Sequence, residues 1–287
     1  MCIRDRYENA RGACGMTDKI DLHVHSSFSD GKDSVNKVLD LAKERDVKML
    51  SFVDHDTNLT YNEALPYAKR LGIDLIPGIE ISAYDFKRRR KVHVLGYNYD
   101  LDATNIKKLT EPLQTRRHQH SLEQIKKIED YGIDVDMDEV KKSVGPAGII
   151  YKQHIMHAIC DDHYTCPKYT TKYRTLFKNN GPAAGDIEYI DYIEALKAIK
   201  QDKGLAVIAH PGQLHSYELI EDNYELIDGI EKYHPDHGPA DYEKIDAVCE
   251  KYDLFITGGS DYHGDFGATA EIGIDSGLLK ETTQLFR

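Results

Sequence analysis

The sequence predicts an α/β fold, a barrel of parallel strands interrupted by a mainly helical insert. Strand-like and helix-like stretches alternate through residues 20–71 and again through 205–257, the pattern of βα units on a parallel sheet. Between residues 106 and 189 no strong strand pattern occurs. Histidine, aspartate and glutamate recur at the ends of the predicted strands, the face on which a parallel barrel gathers its active site. A chain of 287 residues is long enough for one large domain with an insertion.

Residues 20–24 alternate apolar and polar, which reads as a short strand and sets His23 and His25 on one face, about 6–7 Å apart. The following Ser29-Asp30-Gly31 turn can fold the Asp30 carboxylate back over that strand end. Asp33 or Ser34 can cap a helix whose apolar residues Val35, Val38, Leu39 and Ala42 recur at helical spacing. A second strand, 48–53, runs into Asp54-His55-Asp56, and 60–71 is helical. Residues 75–82 form a strand interrupted at Pro77-Gly78, with Glu80 within or near its end. The basic run 87–91 reads as a solvated hairpin tip, with phosphate contact as the alternative, and the next strand, 92–97, carries His93.

From 106 to 128 the pattern is helical, with Ile106, Leu109, Leu113, Leu122, Ile125 and Ile128 as buried candidates. Residues 151–160 are a further helix and 178–182 a loop. Residues 106–189 are therefore read as an inserted helical cap, and 16–105 with 190–287 as the barrel. A helix over 191–203 closes at Gly204. The strand from 205 leads to Ala209-His210-Pro211-Gly212, another lies near 229–233, and Pro239 opens a helix to Lys251. The last clear strand, 254–257, ends in Gly259-Ser260-Asp261-Tyr262-His263-Gly264.

A net charge of −12 opposes sequence-independent binding to long nucleic acid. The 106–189 segment, with 13 Lys/Arg against 12 Asp/Glu, is the part an anionic substrate meets most easily. No run approaches the 18 or so apolar residues of a membrane span, and residues 1–15 have no apolar leader core, so they read as an extension ahead of a start at Met16. Five scattered cysteines, Cys2, Cys14, Cys160, Cys166 and Cys249, form no C-x-x-C pair; they argue against a disulfide framework and for a reducing cytoplasm.

His23, His25, Asp30, His55, Glu80, His93, His210, Asp261 and His263 all fall at or near predicted strand ends. Nine nitrogen and carboxylate ligands are too many for one ion and suit two or three divalent first-row ions, with a carboxylate such as Glu80 bridging. Asp54 and Asp56 are read as groups that orient histidines. Most of the remaining histidines, His118, His120, His157, His163, His215, His234 and His237, are assigned no chemical role.

The blocks His23-Val24-His25 with Ser29-Asp30-Gly31, Asp54-His55-Asp56, Pro77 to Ser82, His93-Val94-Leu95-Gly96, Ala209-His210-Pro211-Gly212 and Gly259 to Gly264 resemble the PHP (polymerase and histidinol phosphatase) family. Their order and the insert resemble most the branch of nucleoside 3′,5′-bisphosphate phosphatases and 5′-to-3′ exoribonucleases. The resemblance implies a distorted (β/α)7 barrel and a trinuclear centre held by the nine residues. Manganese is the first expectation, with iron, zinc and magnesium as alternatives. It also implies phosphate contacts from the insert. Thr115-Arg116-Arg117 matches one such segment, and Lys152-Gln153-His154 the other, with lysine where arginine is usual, so that a point charge replaces a bidentate fork.

The implied activity is that of a metal-dependent phosphoesterase. A metal-activated hydroxide attacks phosphate mono- or diesters of 3′,5′-bisphosphonucleotides or short 5′-phosphorylated oligonucleotides. Asp30, His55, Glu80 and Asp261 act through that hydroxide, and Arg116, Arg117, Lys152 and His154 bind phosphate. Three alternatives stand beside it: a histidinol-phosphatase-like or other small-molecule phosphatase, a non-catalytic metal-binding module, and an amidohydrolase, whose barrel Asp21-x-His23-x-His25 would also open. The Ser-Asp-Gly turn and the Asp-His-Asp block favour the phosphoesterase. Neither a membrane nor a long duplex is expected as a partner.

Overall fold

The structure, a computed structural model, describes residues 18–268 and 271–286. The expected 1–15 extension, Met16, Cys2 and Cys14 lie outside the described residues.

The first half of the barrel runs β1 (Lys19–Val24), α1 (Val35–Glu44), β2 (Val47–Phe52), α2 (Tyr61–Leu71), β3 (Asp74–Leu75), β4 (Gly78–Asp85) and β5 (Arg90–Tyr97). Helices then follow without a strand: α3 (Thr104–Asp130), α4 (Met137–Ser143), α5 (Lys152–Ile159) and α6 (Pro167–Phe177). The second half is β6 (Ile190–Asp191), α7 (Tyr192–Gln201), β7 (Leu205–Ile208), α8 (Pro211–Leu214), α9 (Tyr217–Asn223), β8 (Gly229–Tyr233), α10 (Pro239–Tyr252), β9 (Phe255–Gly258), β10 (Ile274–Asp275) and α11 (Lys280–Leu285).

Two sheets, β10-β1-β2-β3 and β6-β4-β5-β7-β8-β9, make up the wall. They meet through isolated bridges, Val24 to Tyr262 on one side and His55 to Glu80 on the other. The ring that results runs β1, β2, β4, β5, β7, β8, β9 and back to β1, with the two-residue strands β3, β6 and β10 at the margins. It is a distorted seven-stranded α/β barrel. The distortion is β5, which runs antiparallel to both β4 and β7. A purely parallel barrel is thus not what forms: β4 and β5 are joined directly as a hairpin through residues 86–89, and a connection that short can only reverse the chain.

Alternation within the strands sorts the side chains. Ile79, Ile81, Val92, Val94, Ala206, Ile208 and Ile230 face the outer helices. Leu95, Tyr97 and Val207 join Ile20, Leu22 and Met49 in the packed interior. α1 forms where spacing predicts, with the Ser34 hydroxyl accepting from the Lys37 amide and Val35, Val38, Leu39 and Ala42 buried. In the helical stretch, Ile106 and Leu113 of α3 pack with the outer barrel layer. Ile125 and Ile128 of the same helix pack with α4, α5 and α6 around Val140, Ile155 and Leu176. α3 therefore reaches from the barrel into a second apolar cluster.

Candidate metal centre

β1 and the loop after β9 are locked together by buried groups. The Asp21 carboxylate accepts from the amides of Ser260 (2.9 Å), Gly273 (2.7 Å) and His23 (3.2 Å). The His25 amide donates to the Tyr262 carbonyl and the Asp261 amide to the His23 carbonyl, each at 2.9 Å. Asp261 is thereby placed beside the two histidines of β1: its Oδ1 lies 3.3 Å from His23 Nε2 and 3.4 Å from His25 Nε2.

Glu80 stands at the middle. Its carboxylate lies 2.7 Å from His93, 3.1 Å from His25 and His210, 3.3 Å from His23 and 3.4 Å from His55. Asp30 closes the other edge, 3.3 Å from His263 Nε2 and 3.9 Å from His55 Nε2. All nine residues singled out in the sequence therefore meet on one rim. His93 reaches it from the N-terminal half of β5, because that strand runs in the opposite sense. Glu80 reaches it from within β4, which continues past the rim.

This donor set fits divalent cations. His23 Nε2 and His25 Nε2 face each other at 3.2 Å, and five imidazoles share two carboxylate oxygens, more than hydrogen bonds can satisfy. Nδ1 of His55 and of His210 is buried with no hydrogen-bond partner. Several overlapping groups of these residues bring their ligand atoms within 4.8 Å of one another, a mix of imidazole nitrogen and carboxylate oxygen suited to first-row divalent ions. Burial alone would raise the carboxyls of Asp30, Glu80 and Asp261, but neighbouring imidazoles hold all three well below the usual carboxylate range. His55 is pushed down to about 3 by burial, so its ring is neutral.

Asp54 and Asp56 do not touch the histidine rings. Asp54 accepts from the Ser26 amide (2.8 Å) and the hydroxyls of Ser26 (2.7 Å), Ser29 (2.6 Å) and Thr60. It thus orders the loop that carries Asp30, reaching His25 only through Ser29. Asp56, in the left-handed region (φ 61°), accepts from Arg117 Nη2 and the Ser82 amide, each at 2.8 Å. Each carboxylate finds donors away from the rings, Asp54 in the loop after β1 and at Thr60, Asp56 in α3 and β4.

A cavity of about 580 Å³ opens between the rim and the helical segment. Asp30, His55 and His93 lie at the rim side, and Lys91, Arg117, Lys152, Arg174 and Lys178 are its cations, among tyrosines 151, 164, 169, 173 and 189. The Arg117 guanidinium bonds Asp56 and the Ser82 hydroxyl and lies 5.1 Å from the Tyr151 ring centre. Lys152 lies 3.4 Å from Asp186. Arg116 and His154 do not line this cavity. Arg116 Nε donates to the Glu188 carbonyl, and His154 is buried with Nδ1 accepting from the Tyr151 amide at the start of α5. Of the basic run 87–91, Lys91 alone lines the cavity; Lys87, Arg88 and Arg90 pair with Asp222, Asp85 and Glu218.

The PHP domain model matches residues 21–236. This chain belongs to the PHP domain family. A phosphoribosyl 1,2-cyclic phosphate 1,2-diphosphodiesterase of Eggerthella lenta is 43% identical over 88% of this chain and 97% of its own length. The 3′,5′-nucleoside bisphosphate phosphatase of Chromobacterium violaceum is 26% identical, covering 93% of this chain and 94% of its own. A structure from Bifidobacterium adolescentis superposes with a TM-score of 0.80 at 23% identity, over 91% of this chain and 94% of that one; it shares the fold. This PHP chain is a phosphoesterase, as both curated relatives are. No helix among the described residues is long and apolar enough to cross a membrane.

Sequence reasoning missed Glu231 and His234, both buried at the same centre. His234 Nε2 lies 3.3 Å from Asp261 Oδ2, and Glu231 contacts His23 and His210. Two signals were present. His234-Pro235 follows β8 as His210-Pro211 follows β7, and with Ile230 facing the helices, alternation turns Glu231 inward. Gln153, whose Nε2 donates to Asp30 Oδ2 at 2.8 Å, was also missed.

Proposed function

We propose that the protein hydrolyses a phosphoester on a ribosyl unit that carries a second phosphate, with the reacting ester at the rim and the second phosphate among the cations of the helical segment. The observation that carries this reading is the shared cavity: candidate metal ligands on one side, and Arg117, Lys152, Arg174 and Lys178 on the other. A phosphoribosyl cyclic phosphate and a nucleoside 3′,5′-bisphosphate, the substrates named for the two relatives, have this chemistry in common.

His23, His25, Asp30, His55, Glu80, His93, His210, Asp261 and His263 would hold two or three divalent ions, manganese first, with iron, zinc and magnesium as alternatives. Such ions supply Lewis acidity, lowering the pKa of water toward neutrality and offsetting charge that develops on the phosphoryl oxygens. Glu80, reached by histidines from three strands (β1, β5 and the end of β7) and the loop after β2, is the residue that would bridge. Arg117, anchored by Asp56 and Ser82, presents fixed positive charge to the substrate. Lys152 and Lys91 both reach Asp186 and would exchange that contact for phosphate. The Tyr151 hydroxyl donates to the His55 carbonyl at 3.1 Å and ties the helical segment, which we read as a cap, to the rim.

The test is hydrolysis of phosphoribosyl 1,2-cyclic phosphate, followed both as ring opening to the monoester and as phosphate release, beside phosphate release from a nucleoside 3′,5′-bisphosphate and a simple aryl phosphate. A charge-assisted contact is worth about 1.5–3 kcal/mol, roughly tenfold to a hundredfold in kcat/KM. At least one doubly phosphorylated substrate should exceed the aryl phosphate by that factor or more; equal kcat/KM values on all three would contradict the reading.

A further inference from the structure

We infer that Glu231 is a positioning residue of the metal centre, holding the His23 ring and the His210 backbone from behind so that both imidazoles present a free nitrogen to the ions. The inference rests on the metal-centre reading and adds to it a residue outside the nine ligands.

Glu231 lies inside β8, between β7 and β9, with no solvent exposure. Its two oxygens have separate duties. Oε1 accepts from His23 Nδ1 at 2.8 Å, and Oε2 accepts from the His210 amide at 2.8 Å. The first bond holds a proton on Nδ1, which in the neutral ring leaves the lone pair on Nε2, the nitrogen facing Glu80, His25 and Asp261. Without that carboxylate the ring is free to carry its proton on Nε2 and to turn, and either change removes a ligand.

The second bond acts on the backbone. His210 sits at φ 23°, outside the regions that L-residues favour. The bond to Glu231 fixes the amide that leads into this conformation, from which His210 Nε2 reaches Glu80 at 3.1 Å. One side chain thus sets the geometry of two ligands contributed by β1 and by the end of β7.

Glu231 also lies within ligand distance of His210 and His234, which would allow a role as a ligand itself. Both oxygens, however, are engaged by the chain's own N–H groups, and one of these bonds goes to a histidine ring whose other nitrogen faces the centre. A carboxylate behind a ligating imidazole in this way typically governs 10–100-fold in metal affinity.

The experiment titrates metal-stripped wild-type protein, Glu231→Gln and Glu231→Ala with Mn²⁺ against a competing chelator, with circular dichroism as the folding control. Glutamine keeps the volume and one acceptor for His23, but sets an NH2 against the His210 amide. The expected result is Mn²⁺ affinity weakened roughly 10–100-fold in the alanine variant and by a smaller factor in the glutamine variant, with phosphate release restored in both at saturating Mn²⁺. If the alanine variant does not fold, the glutamine variant decides. Folded variants with wild-type Mn²⁺ affinity, or with activity that excess Mn²⁺ leaves unrestored, would overturn the inference while leaving the metal centre standing. Wild-type protein that takes up none of Mn²⁺, Fe²⁺, Zn²⁺ and Mg²⁺ would overturn both.

Discussion

Arg117 has two duties, since the guanidinium that faces the cavity also neutralises Asp56, which is wholly buried. Truncation leaves that carboxylate without its cation, and breaking a buried pair from one side costs on the order of 3 kcal/mol. Arg117→Ala should therefore lower the thermal midpoint as well as kcat/KM on a doubly phosphorylated substrate. Asp56→Asn in the same chain should recover part of the stability and none of the substrate binding; the thermal midpoints and kinetics of the two single variants and the double variant separate the two effects. Cys249 is a simpler case. Burial pushes its thiol up to about 12. The folded-state value lies above that of an exposed thiol, so its contribution to stability is complete below about pH 8.5 and is lost as the pH rises toward 12. At pH 8 the thiolate is roughly one part in ten thousand. Peptide mapping after iodoacetamide treatment of folded protein at that pH should find Cys249 unmodified, and adducts there would contradict the assigned environment.

At the scale of elements, the centre depends on how closely the loop after β9 approaches β1. A Cβ on Gly259 would collide with the backbone amide and Cβ of His23 and with the Asp21 carboxylate, none of which can move without shifting a rim residue. Gly259→Ala should cost about 1–3 kcal/mol in denaturant unfolding and weaken Mn²⁺ binding; unchanged values in both would mean that the two segments are free to separate. The same elements show what can be read from sequence. The ligand-type residues are legible because histidines and carboxylates recur together at the ends of successive strands, and the helical spacing of α1 is legible because one face is apolar. The sense of β5 is legible too: the basic run 87–91 reads as a hairpin tip, and a connection that short reverses the chain, since a parallel pair needs a longer crossover. Glu231 is hidden by its neighbours, since a glutamate between Ile230 and Lys232 resembles the polar position of a half-exposed strand. Arg116 and His154 sit in the right motifs, but their side chains satisfy nearby backbone groups, a competition that no motif records.

For the whole molecule, two bodies of packing share one cavity. The barrel supplies a rim of six histidines and three carboxylates, and the helical segment, joined to it through α3, supplies the tyrosines and most of the cavity's cations. The central claim is that phosphoester hydrolysis needs the ions held at that rim, and it is tested most directly by phosphate release from a doubly phosphorylated ribosyl substrate before chelation, after exhaustive chelation, and after Mn²⁺ is restored. The account predicts that activity is lost on chelation with the fold retained, that it returns as two or three Mn²⁺ ions are taken up per chain, and that His25→Ala and Asp261→Ala remain inactive when Mn²⁺ is restored; undiminished phosphate release from the fully chelated protein would contradict it.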